Sequence, residues 1–386
     1  MIGFVLAAIS LAVWIYLVFA RGWFWLGRER DDTAIARPAA PPSVAIVVPA
    51  RNEADGIAES VTSLLSQDYP ALSLIVVDDD SHDGTADIAR SAAAALGAQD
   101  RLTVVSGQPL PARWTGKLWA VKQGIAAAQE NAQEKRAPKY LLLTDADIVH
   151  AKDTLSWLVS HSERHALVLN SLTARWRCEN LAERFHIPAF IYFFEMLYPF
   201  AWVNRPDHRT AGAAGGCMLL RTDALRAAGG IDVIRDALID DCALAAAMKK
   251  QGPIWLGLTD RVVSIRPYAS WGEIRRMVAR SAYAQLKYSP LMLLGTMLGM
   301  TLTYLVPPMF ALFGSGWAQL AGLAAWALMA ISFQPVLRLY RLSPLWGVAL
   351  PAISFLFMLY TLDSAYQYAA GRGGSWKGRI QAKASQ

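Results

Sequence analysis

Residues 74–85 read LIVVDDDSHDGT, and this stretch decides the fold. Leu74–Val77 is a short apolar run of the kind found in buried strands, and four aspartates follow it within six positions. A helical pattern then begins at Thr85, after the turn residues Ser81 and Gly84. A buried strand that ends in polar residues and leads into a helix is typical of βαβ units, whose ligands bind beyond the carboxyl ends of the strands.

The same alternation extends outward from this stretch, from Ser43 to about Arg266. We predict strands at Val44–Val48, Leu74–Val77, Leu102–Val105 and Tyr140–Thr144, and helices at Ile57–Leu65, Thr85–Leu96, Lys117–Gln129 and Thr154–His165. This order predicts an α/β domain with a mainly parallel sheet and flanking helices.

Composition separates the ends of the chain from its centre. The 386 residues are 54% hydrophobic and 18% charged, and 14 Trp, 13 Tyr and 13 Phe exclude a disordered chain. Three widely spaced cysteines, Cys178, Cys217 and Cys242, exclude a disulfide scaffold, and without a Cys-x-x-Cys pair a structural zinc site is not expected. The apolar excess lies at both ends, in residues 2–20 and in the stretches 291–313, 317–335 and 345–362. We expect these to be membrane helices, and we assign the net charge of +6 to an anionic membrane surface, not to nucleic acid.

The charges beside the apolar stretches give conflicting predictions of topology. Arg21, Arg28 and Arg30 follow the first stretch, which places the central domain in the cytoplasm, on the inner face of a bacterial cytoplasmic membrane. Three further crossings would put the C-terminal tail outside. The basic residues near it, however, favour the cytoplasm: Arg338, Arg341, Arg372, Lys377, Arg379 and Lys383. One stretch is therefore expected to be re-entrant or in-plane, and 345–362, interrupted by Pro351, is the first candidate.

These features predict the domain organisation of the chain. The α/β domain spans 44–270. It is preceded by a transmembrane anchor at 1–26 and a Pro/Ala-rich linker at 27–43. It is followed by an amphipathic interface helix at 271–288, membrane helices at 289–365 and a basic tail at 366–386. Within the domain, the aromatic segment 180–204 contains Glu195, Pro188 and Pro199. We interpret it as a segment lying on the membrane, with a buried core helix as the alternative.

Asp145-Ala146-Asp147 follows the strand that contains Leu141–Leu143. Two carboxylates two residues apart can share Mg²⁺ or Mn²⁺, which prefer oxygen ligands and retain open positions for a diphosphate. Capping of the next helix by one aspartate is the alternative interpretation.

Three further sites also have two interpretations each. Lys117 stands at a helix start, where the dipole disfavours a cation, so it indicates a nearby anion or is an ordinary surface lysine. Gly215-Gly216 allows close approach of a ligand or makes a tight turn. Asp240-Asp241 opens a helix, where one aspartate can cap it and the other can act as a general base.

The pair His161 and His165 is set aside as a zinc site. The spacing is His-x-x-x-His without the Glu of a zinc protease, and we expect these side chains on a solvated helix face.

Taken together, these motifs resemble the family 2 glycosyltransferases, whose catalytic domain has the GT-A nucleotide-sugar-binding fold. The resemblance covers about residues 43–285, and the matching motifs are Val48–Glu53, Val77–Thr85, Gly116-Lys117, Asp145-x-Asp147, Gly215-Gly216-Cys217 and Asp240-Asp241-x-x-Leu244. The layout of membrane helices resembles the ceramide-glucosyltransferase-like branch. The whole chain, with the run Ser270–Ser281, resembles above all the hopanoid-biosynthesis-associated glycosyltransferases of bacteria.

The resemblance implies a donor site for a nucleotide-sugar and a divalent cation, Mg²⁺ or Mn²⁺. Asp147, with Asp145 beside it, would bind the metal that bridges the diphosphate. The nucleotide pocket would be formed by Asp78 and Asp79, lined by Pro49, Ala50 and Glu53, with Lys117 facing the donor.

It also implies an acceptor site and a direct displacement with inversion. Asp241 would deprotonate the acceptor hydroxyl. Gly216, Cys217, Asp240 and Arg276 would contact the acceptor. The chain departs from the family pattern at Asp80, where a glycine is usual, and at Glu273-x-x-Arg276-Met277, where the branch has Gln-x-x-Arg-Trp.

The membrane helices make a membrane lipid the expected acceptor, and the resemblance indicates a hopanoid or another polyisoprenoid lipid, with association with other enzymes of lipid biosynthesis as a further expectation. One alternative is a non-catalytic membrane protein that binds a nucleotide-sugar or acts as a scaffold through a degenerate GT-A domain. A nucleotidyltransferase is a third hypothesis, but it should carry a basic, glycine-rich phosphate loop near the first strand, and Pro49–Glu53 is not one.

Overall fold

The structure is a computed structural model that describes residues 2–35, 40–130, 137–376 and 379–380. Its strands within these ranges are β1 (Val44–Ala50), β2 (Leu72–Asp78), β3 (Leu102–Ser106), β4 (Tyr140–Leu143), β5 (Ile148–His150), β6 (Leu169–Trp176), β7 (Met218–Arg221), β8 (Ile254–Ser264), β9 (Ser375–Trp376) and β10 (Arg379–Ile380). Helices of the central domain are α2 (Ile57–Leu65), α3 (Thr85–Ala95), α4 (Gly116–Glu130), α5 (Thr154–His165), α6 (Leu181–Leu197), α7 (Phe200–Val203), α8 (Thr222–Ala227), α9 (Asp240–Lys249) and α10 (Trp271–Gln285).

The central domain is organised around one eight-stranded sheet with the strand order β3-β2-β1-β4-β7-β6-β8-β5. Strands β3, β2, β1 and β4 are parallel neighbours, as are β6 and β8, whereas β7 and β5 run antiparallel to the strands beside them. This confirms the predicted α/β architecture with a mostly parallel sheet flanked by helices. The predicted strands and helices are all present with ends that shift by two residues at most.

Burial on both faces of the sheet explains the continuous apolar strands. Every residue of β1 is buried, and the sheet separates two hydrophobic clusters, with Val47 and Ile46 facing opposite sides. Helix α4 approaches β1 closely at Gly124, where a Cβ atom would lie within contact distance of Val47 and 3.0 Å from Val77. A strand buried on both faces loses the alternating polar pattern of a half-exposed one, because each side chain meets a packed layer.

Outside this domain lie the apolar helices of the two chain ends. They are α1 (Ile2–Phe19), α11 (Pro290–Met300), α12 (Val306–Phe313), α13 (Gly316–Ser332), α14 (Gln334–Leu339) and α15 (Leu350–Ala369). A π-helical turn at Thr301–Leu305 joins α11 to α12, and a 3₁₀ turn at Pro344–Ala349 precedes α15. Four continuous helical stretches in the described residues are long and apolar enough to cross a membrane: Ile2–Phe19, Pro290–Phe313, Gly316–Leu339 and Pro344–Ala369.

Two local predictions are corrected by the packing. His161 was predicted on a solvated helix face, but it is 9% exposed and lies between the rings of Trp157 and Trp255. The linker predicted at 27–43 is not a free spacer throughout. Leu258 donates its backbone N–H to the Glu29 carbonyl at 2.8 Å, which fixes this part of the linker beside β8. Residues 36–39 of the linker, and Lys377 and Lys383 of the tail, lie outside the described residues.

Helix α6 is the aromatic segment for which a membrane-surface or a core position was expected. An Asn180–Glu183 capping box starts the helix, and its buried face carries His186, Tyr192 and Glu195. Leu181 and Leu197, at its two ends, are 62% and 47% exposed. The Tyr192 hydroxyl lies 2.7 Å from the Ser332 hydroxyl of α13, so α6 packs between the domain and the apolar helices.

The contact between α4 and β1 predicts a test of the fold. We expect Gly124→Ala to lower the thermal unfolding temperature, because the added methyl overlaps Val47 in a packed core, at a cost of about 1–3 kcal/mol. The matched control is Gly299→Ala in α11, where no heavy atom lies within 4 Å of the new Cβ atom. That variant should be neutral or gain up to about 1 kcal/mol, since alanine restricts the unfolded chain. Equal melting temperatures for the two variants would contradict the packing described here.

Candidate active site

The carboxyl ends of the parallel strands bring the predicted motifs to one edge of the sheet. Ala50 at the end of β1 lies opposite Asp78 at the end of β2, and β4 ends two residues before Asp145. The Asp79 backbone N–H donates to the Ala50 carbonyl at 2.8 Å, so the two chain segments remain joined beyond the strands. The acidic residues therefore converge because the sheet is parallel here.

Lys117, at the start of α4, is paired with two of the predicted acids. Its Nζ atom lies 2.9 Å from Asp145 Oδ1 and 3.2 Å from Asp240 Oδ2. Burial alone would lower the pKa of Lys117, but the two carboxylates outweigh burial and raise the pKa above its ordinary value. The anion indicated by a lysine at a helix start is thus, in this structure, a pair of protein carboxylates.

Arg266 makes the corresponding bridge on the other side of the cluster. Its Nε–H donates to Asp147, and its Nη2 donates to both oxygens of Glu53 at 3.0 and 3.1 Å. Burial would lower the pKa of this guanidinium, but Asp147 and Glu53 outweigh it and raise the pKa further. Sequence reasoning missed Arg266, which lies two residues beyond the end of β8 in the run Ser264-Ile265-Arg266-Pro267. A long polar side chain directly after the last buried strand is the signal that was available.

Asp241 is the acid best suited to accept a proton. Its Oδ2 atom accepts from the Gly215 backbone N–H at 3.0 Å, and its Oδ1 atom accepts from the Cys242 N–H at 2.7 Å. Burial, and secondly the neighbouring charge of Asp240, raise the pKa of Asp241 to about 6, although Lys117 and the two amides oppose this. A carboxylate with a pKa near neutrality is poised for general-base work, and the two amides fix its orientation.

The Asp145 carboxyl responds to the same surroundings. Burial raises its pKa most, the Lys117 ammonium opposes this, and the charge of Asp147 adds to the increase, so that its pKa lies above the ordinary value. Five carboxylates meet here, since Glu53, Asp145, Asp147 and Asp240 join Asp241, while Lys117 and Arg266 each bridge two of them. The cluster therefore carries a negative excess that favours binding of a further cation.

The aspartates at and after the end of β2 have different hydrogen-bond partners. Asp79 is 1% exposed, and Arg51 donates to its backbone carbonyl. Asp78 Oδ1 accepts from the Ser81 N–H at 3.2 Å and stays at the sheet edge. Asp83 accepts from the backbone N–H groups of Thr85 at 3.1 Å and Ala54 at 3.0 Å, so it ties this turn to the loop after β1.

Two implied acceptor residues lie apart from the cluster. Cys217 is fully buried in the core cluster that contains Val44 and Leu172, so its side chain packs and we withdraw it as an acceptor contact. Arg276 is exposed on α10. Burial raises the pKa of Tyr268 to about 12, and the positive charge of Arg280, one turn further along α10, is close enough to oppose this increase. Gly216 stays near the site: its carbonyl accepts from the Thr144 hydroxyl at 2.7 Å.

The donor set fits a hard divalent cation. The described residues contain no preassembled group of three His, Cys, Asp or Glu side chains able to hold a metal. Asp145 and Asp147 nevertheless supply two carboxylates, with side chains 35% and 16% exposed. Oxygen ligands of this kind suit Mg²⁺ or Mn²⁺, which commonly take their remaining ligands from substrate phosphates and water. To bind a cation, Asp145 and Asp147 would have to replace their bonds to Lys117 and Arg266 with bonds to the metal.

Comparison with known proteins agrees with this geometry. Residues 45–229 match the family model described as glycosyl transferase family 2. TuaG of Bacillus subtilis (strain 168), which carries the name teichuronic acid biosynthesis glycosyltransferase, is 31% identical over 114 residues. That alignment covers 30% of this chain and 39% of TuaG, so the chain spans well under half the length of this relative.

A solved structure shares the fold. It is the mannosyltransferase PcManGT from Pyrobaculum calidifontis in complex with GDP-Man and Mn²⁺, which matches with a TM-score of 0.54 at 21% identity. The match covers 95% of this chain and 98% of that one. The likeness supports a GT-A fold with helices added at both ends.

Because Arg266 is bonded to Asp147 and Glu53, we predict that its removal strengthens the binding of a divalent cation. We expect Arg266→Gln to bind Mn²⁺ more tightly than the wild-type protein by roughly ten-fold, because a competing buried cation is removed from Asp147 and Glu53. Titration calorimetry or Mn²⁺ electron paramagnetic resonance on donor-free protein measures this directly.

Arg261→Gln is the matched control for this measurement. Arg261 also bridges two carboxylates, Asp31 and Asp153, neither of which belongs to the acidic cluster. Its substitution should leave Mn²⁺ affinity unchanged. Unchanged or weaker Mn²⁺ binding in a folded Arg266→Gln variant would show that Arg266 does not compete with the cation.

Proposed function

We propose that this chain, whose residues 45–229 match the glycosyl transferase family 2 model, is a membrane-bound inverting glycosyltransferase that transfers a sugar from a nucleotide-sugar to a membrane lipid. The observation that carries the proposal is Asp241, a partly buried carboxylate with a pKa of about 6 that two backbone amides orient at the carboxyl edge of the sheet. A positioned base is what a single displacement by a hydroxyl group requires.

The donor occupies the side of the cluster formed by the ends of β1, β2 and β4. Asp78 and Asp79 bind the base and ribose, and Pro49 and Ala50 line the pocket. Asp145 and Asp147 would hold a divalent cation, which would neutralise part of the charge of the diphosphate. Mn²⁺ and GDP-Man in the solved PcManGT complex support this choice of ligands. Lys117 and Arg266, released from one carboxylate each, can turn toward the phosphate oxygens.

The reaction needs one bond to form and one to break. The acceptor hydroxyl oxygen attacks the anomeric carbon as its proton passes to the Asp241 carboxylate, and the bond from that carbon to the diphosphate oxygen breaks. The nucleotide diphosphate leaves with the electron pair of that bond. A single attack from the opposite face inverts the configuration, so no covalent enzyme intermediate is involved.

The acceptor is a membrane lipid with a free hydroxyl group, on the side of the membrane that carries the domain. Trp271, at the start of α10, is only five positions after Arg266 of the cluster, which keeps the cluster close to the basic helix. A hopanoid or another polyisoprenoid lipid is the acceptor that the sequence resemblance favours. The positive residues after α1 support a cytoplasmic orientation of the domain.

Loss of the base is the decisive test. We expect Asp241→Asn to reduce sugar transfer to membrane lipids by about 10²–10⁴-fold, because the proton has no acceptor at that position. Purified protein in membranes is assayed with a panel of UDP- and GDP-sugars and Mn²⁺, and products are identified by lipid mass spectrometry. Asp223→Asn, an exposed change at a residue paired only locally with Arg221 and Ala224, should retain full activity.

Binding of a nucleotide-sugar by the wild-type protein without turnover for any donor would favour the alternative, a non-catalytic binding protein. The observation consistent with that alternative is that Lys117 and Arg266 already form ion pairs with four of the five carboxylates.

The raised pKa of Asp241 predicts an acid limb in the pH–rate profile. The base works when ionised, so kcat/KM should fall about ten-fold per pH unit below pH 6. Asp240→Asn removes the like charge that raises this pKa, and the limb should therefore move to lower pH. A limb that keeps its position in a folded Asp240→Asn variant would contradict the assignment of Asp241 as the base.

A further inference from the structure

Helix α15 meets the length and composition of a membrane-crossing helix, but its middle is bonded to α6 and its C-terminal third to α10. We propose that α15 does not cross the membrane and lies instead in the lipid monolayer on the side of the central domain, where it forms one interface layer with α6 and α10. This proposal concerns topology and lipid contact and does not depend on the proposed function.

The other apolar helices define which end of the bundle faces the domain. The far end holds Gly3 of α1 beside Phe310 of α12, where a Cβ atom on Gly3 would lie 3.0 Å from the Phe310 ring. At the opposite end, Arg21 donates to the Met196 carbonyl of α6 at 2.8 Å. Helix α1 therefore runs toward the domain, and the stretch 290–313 runs away from it.

The stretch 316–339 returns to the domain. Its inner end holds Ser332 against Tyr192 of α6 at 2.7 Å. Tyr340, which follows directly, accepts a hydrogen bond from the Trp176 backbone N–H at the end of β6 at 3.3 Å. Three stretches thus alternate in direction, and the chain is back on the domain side before α15 begins.

Helix α15 then stays on that side from its first turn to its last. Before it starts, Trp346 contacts Phe185 of α6, with ring centroids 5.9 Å apart. In its middle, Tyr360 lies 3.0 Å from His186 Nε2. These two contacts are made with the same turn of α6, although 14 residues of chain separate Trp346 from Tyr360.

The C-terminal third of α15 packs along α10. Ser364 donates its hydroxyl to the Ala279 carbonyl at 2.5 Å and accepts from the Tyr283 N–H at 3.0 Å. Asp363 lies 3.7 Å from Arg275, and the ring of Tyr368 stacks on Tyr288 at 4.3 Å.

A crossing orientation is incompatible with these contacts. A helix of 20 residues is about 30 Å long, so a perpendicular α15 would carry one end to the far surface of the bilayer. Helix α10 follows the sheet directly and begins five residues after Arg266 of the acidic cluster. Since Trp346 and Tyr360 contact α6 and the C-terminal third of α15 contacts α10, we infer that the chain from 346 to 368 lies on the domain side.

The exposed face of α15 matches the lipid monolayer in shape and charge. One stripe of α15 is apolar and exposed and consists of Phe355, Leu359, Leu362 and Tyr366, and Leu345 and Val348 in the preceding turn are exposed as well. The basic residues Arg275, Arg276 and Arg280 of α10 flank it, and they are placed to meet anionic head groups. An interfacial helix presents this combination of an apolar stripe beside a cationic one.

This arrangement also removes the conflict between the charges and the number of crossings. With three crossings, the C-terminal tail returns to the side of the domain. Arg372, at the start of the tail, then lies on the same side as Arg21 and Arg28. All the basic segments obey the positive-inside rule together.

The test is the side of the membrane on which residue 370 lies. In full-length protein with the three native cysteines replaced by serine, single cysteines are placed at Ala370→Cys, Ser315→Cys and Gln99→Cys, all exposed positions. Intact cells are treated with a membrane-impermeant maleimide before and after permeabilisation.

We expect Ser315→Cys, at the far loop, to label in intact cells, and Ala370→Cys to label only after permeabilisation, as Gln99→Cys of the domain does. Labelling of Ala370→Cys together with Ser315→Cys would overturn the proposal. Fusions of the unmodified chain to green fluorescent protein and to alkaline phosphatase at the C-terminus give the same answer without cysteine replacement: fluorescence supports the proposal, and phosphatase activity contradicts it.

A depth measurement separates an in-plane helix from a crossing one. Spin labels at Val348→Cys and Tyr366→Cys would differ in bilayer depth by about 27 Å in a perpendicular helix, from 1.5 Å of rise per residue. We expect a difference of less than half that value. A difference near the full helix length would overturn the in-plane position.

Discussion

Two partly buried cations, each shared between two carboxylates, hold the candidate site together. Lys117 joins Asp145 to Asp240, and Arg266 joins Asp147 to Glu53. Unpaired, these acids could not converge in a partly buried cleft, because removing a carboxylate from water without a partner is costly. The two bridges connect the loops after β1 and β4, the starts of α4 and α9, and the segment beyond β8. Each ion pair can also be exchanged. A divalent cation could replace Lys117 or Arg266 as the partner of a carboxylate, and a diphosphate could replace a carboxylate as the partner of Lys117 or Arg266.

The segment that begins at Arg266 links this cluster to the membrane-facing part of the molecule. Two residues further on, the Tyr268 backbone N–H donates to Glu183 at 3.0 Å, and its carbonyl accepts from Asn180 at 2.9 Å, so the segment is fixed to the first turn of α6. Helix α10 begins three residues later and packs against α15. The cluster and the helices proposed to lie in the lipid monolayer are therefore parts of one packed unit, and a lipid hydroxyl could reach the cluster without leaving the membrane surface.

The sequence predicted what depends on local pattern and missed what depends on tertiary contact. The apolar runs that end in acidic residues correctly predicted β1, β2 and β4, and the position of a lysine at a helix start indicated Lys117. Both patterns can be recognised because each spans only a few consecutive residues. Arg266 is marked locally only by its place directly after a buried strand, since its partners are more than a hundred residues away in the sequence. The exposure of His161 was predicted wrongly for a related reason: helical spacing does not reveal which face a neighbouring tryptophan covers. Length and composition favour a crossing helix for α15, whereas Pro351, the basic residues near the C-terminus and the contacts with α6 and α10 argue against it.

We propose that Asp241 serves as the base in a single displacement at the anomeric carbon. The anomeric configuration of the lipid product tests this role most directly, and it is read from the proton–proton or carbon–proton coupling at the transferred sugar by nuclear magnetic resonance. With an α-linked nucleotide-sugar as donor, we expect a β-linked product, because the acceptor oxygen attacks from the face opposite the leaving diphosphate. An α-linked product would mean that the configuration is retained, and it would contradict the role assigned to Asp241.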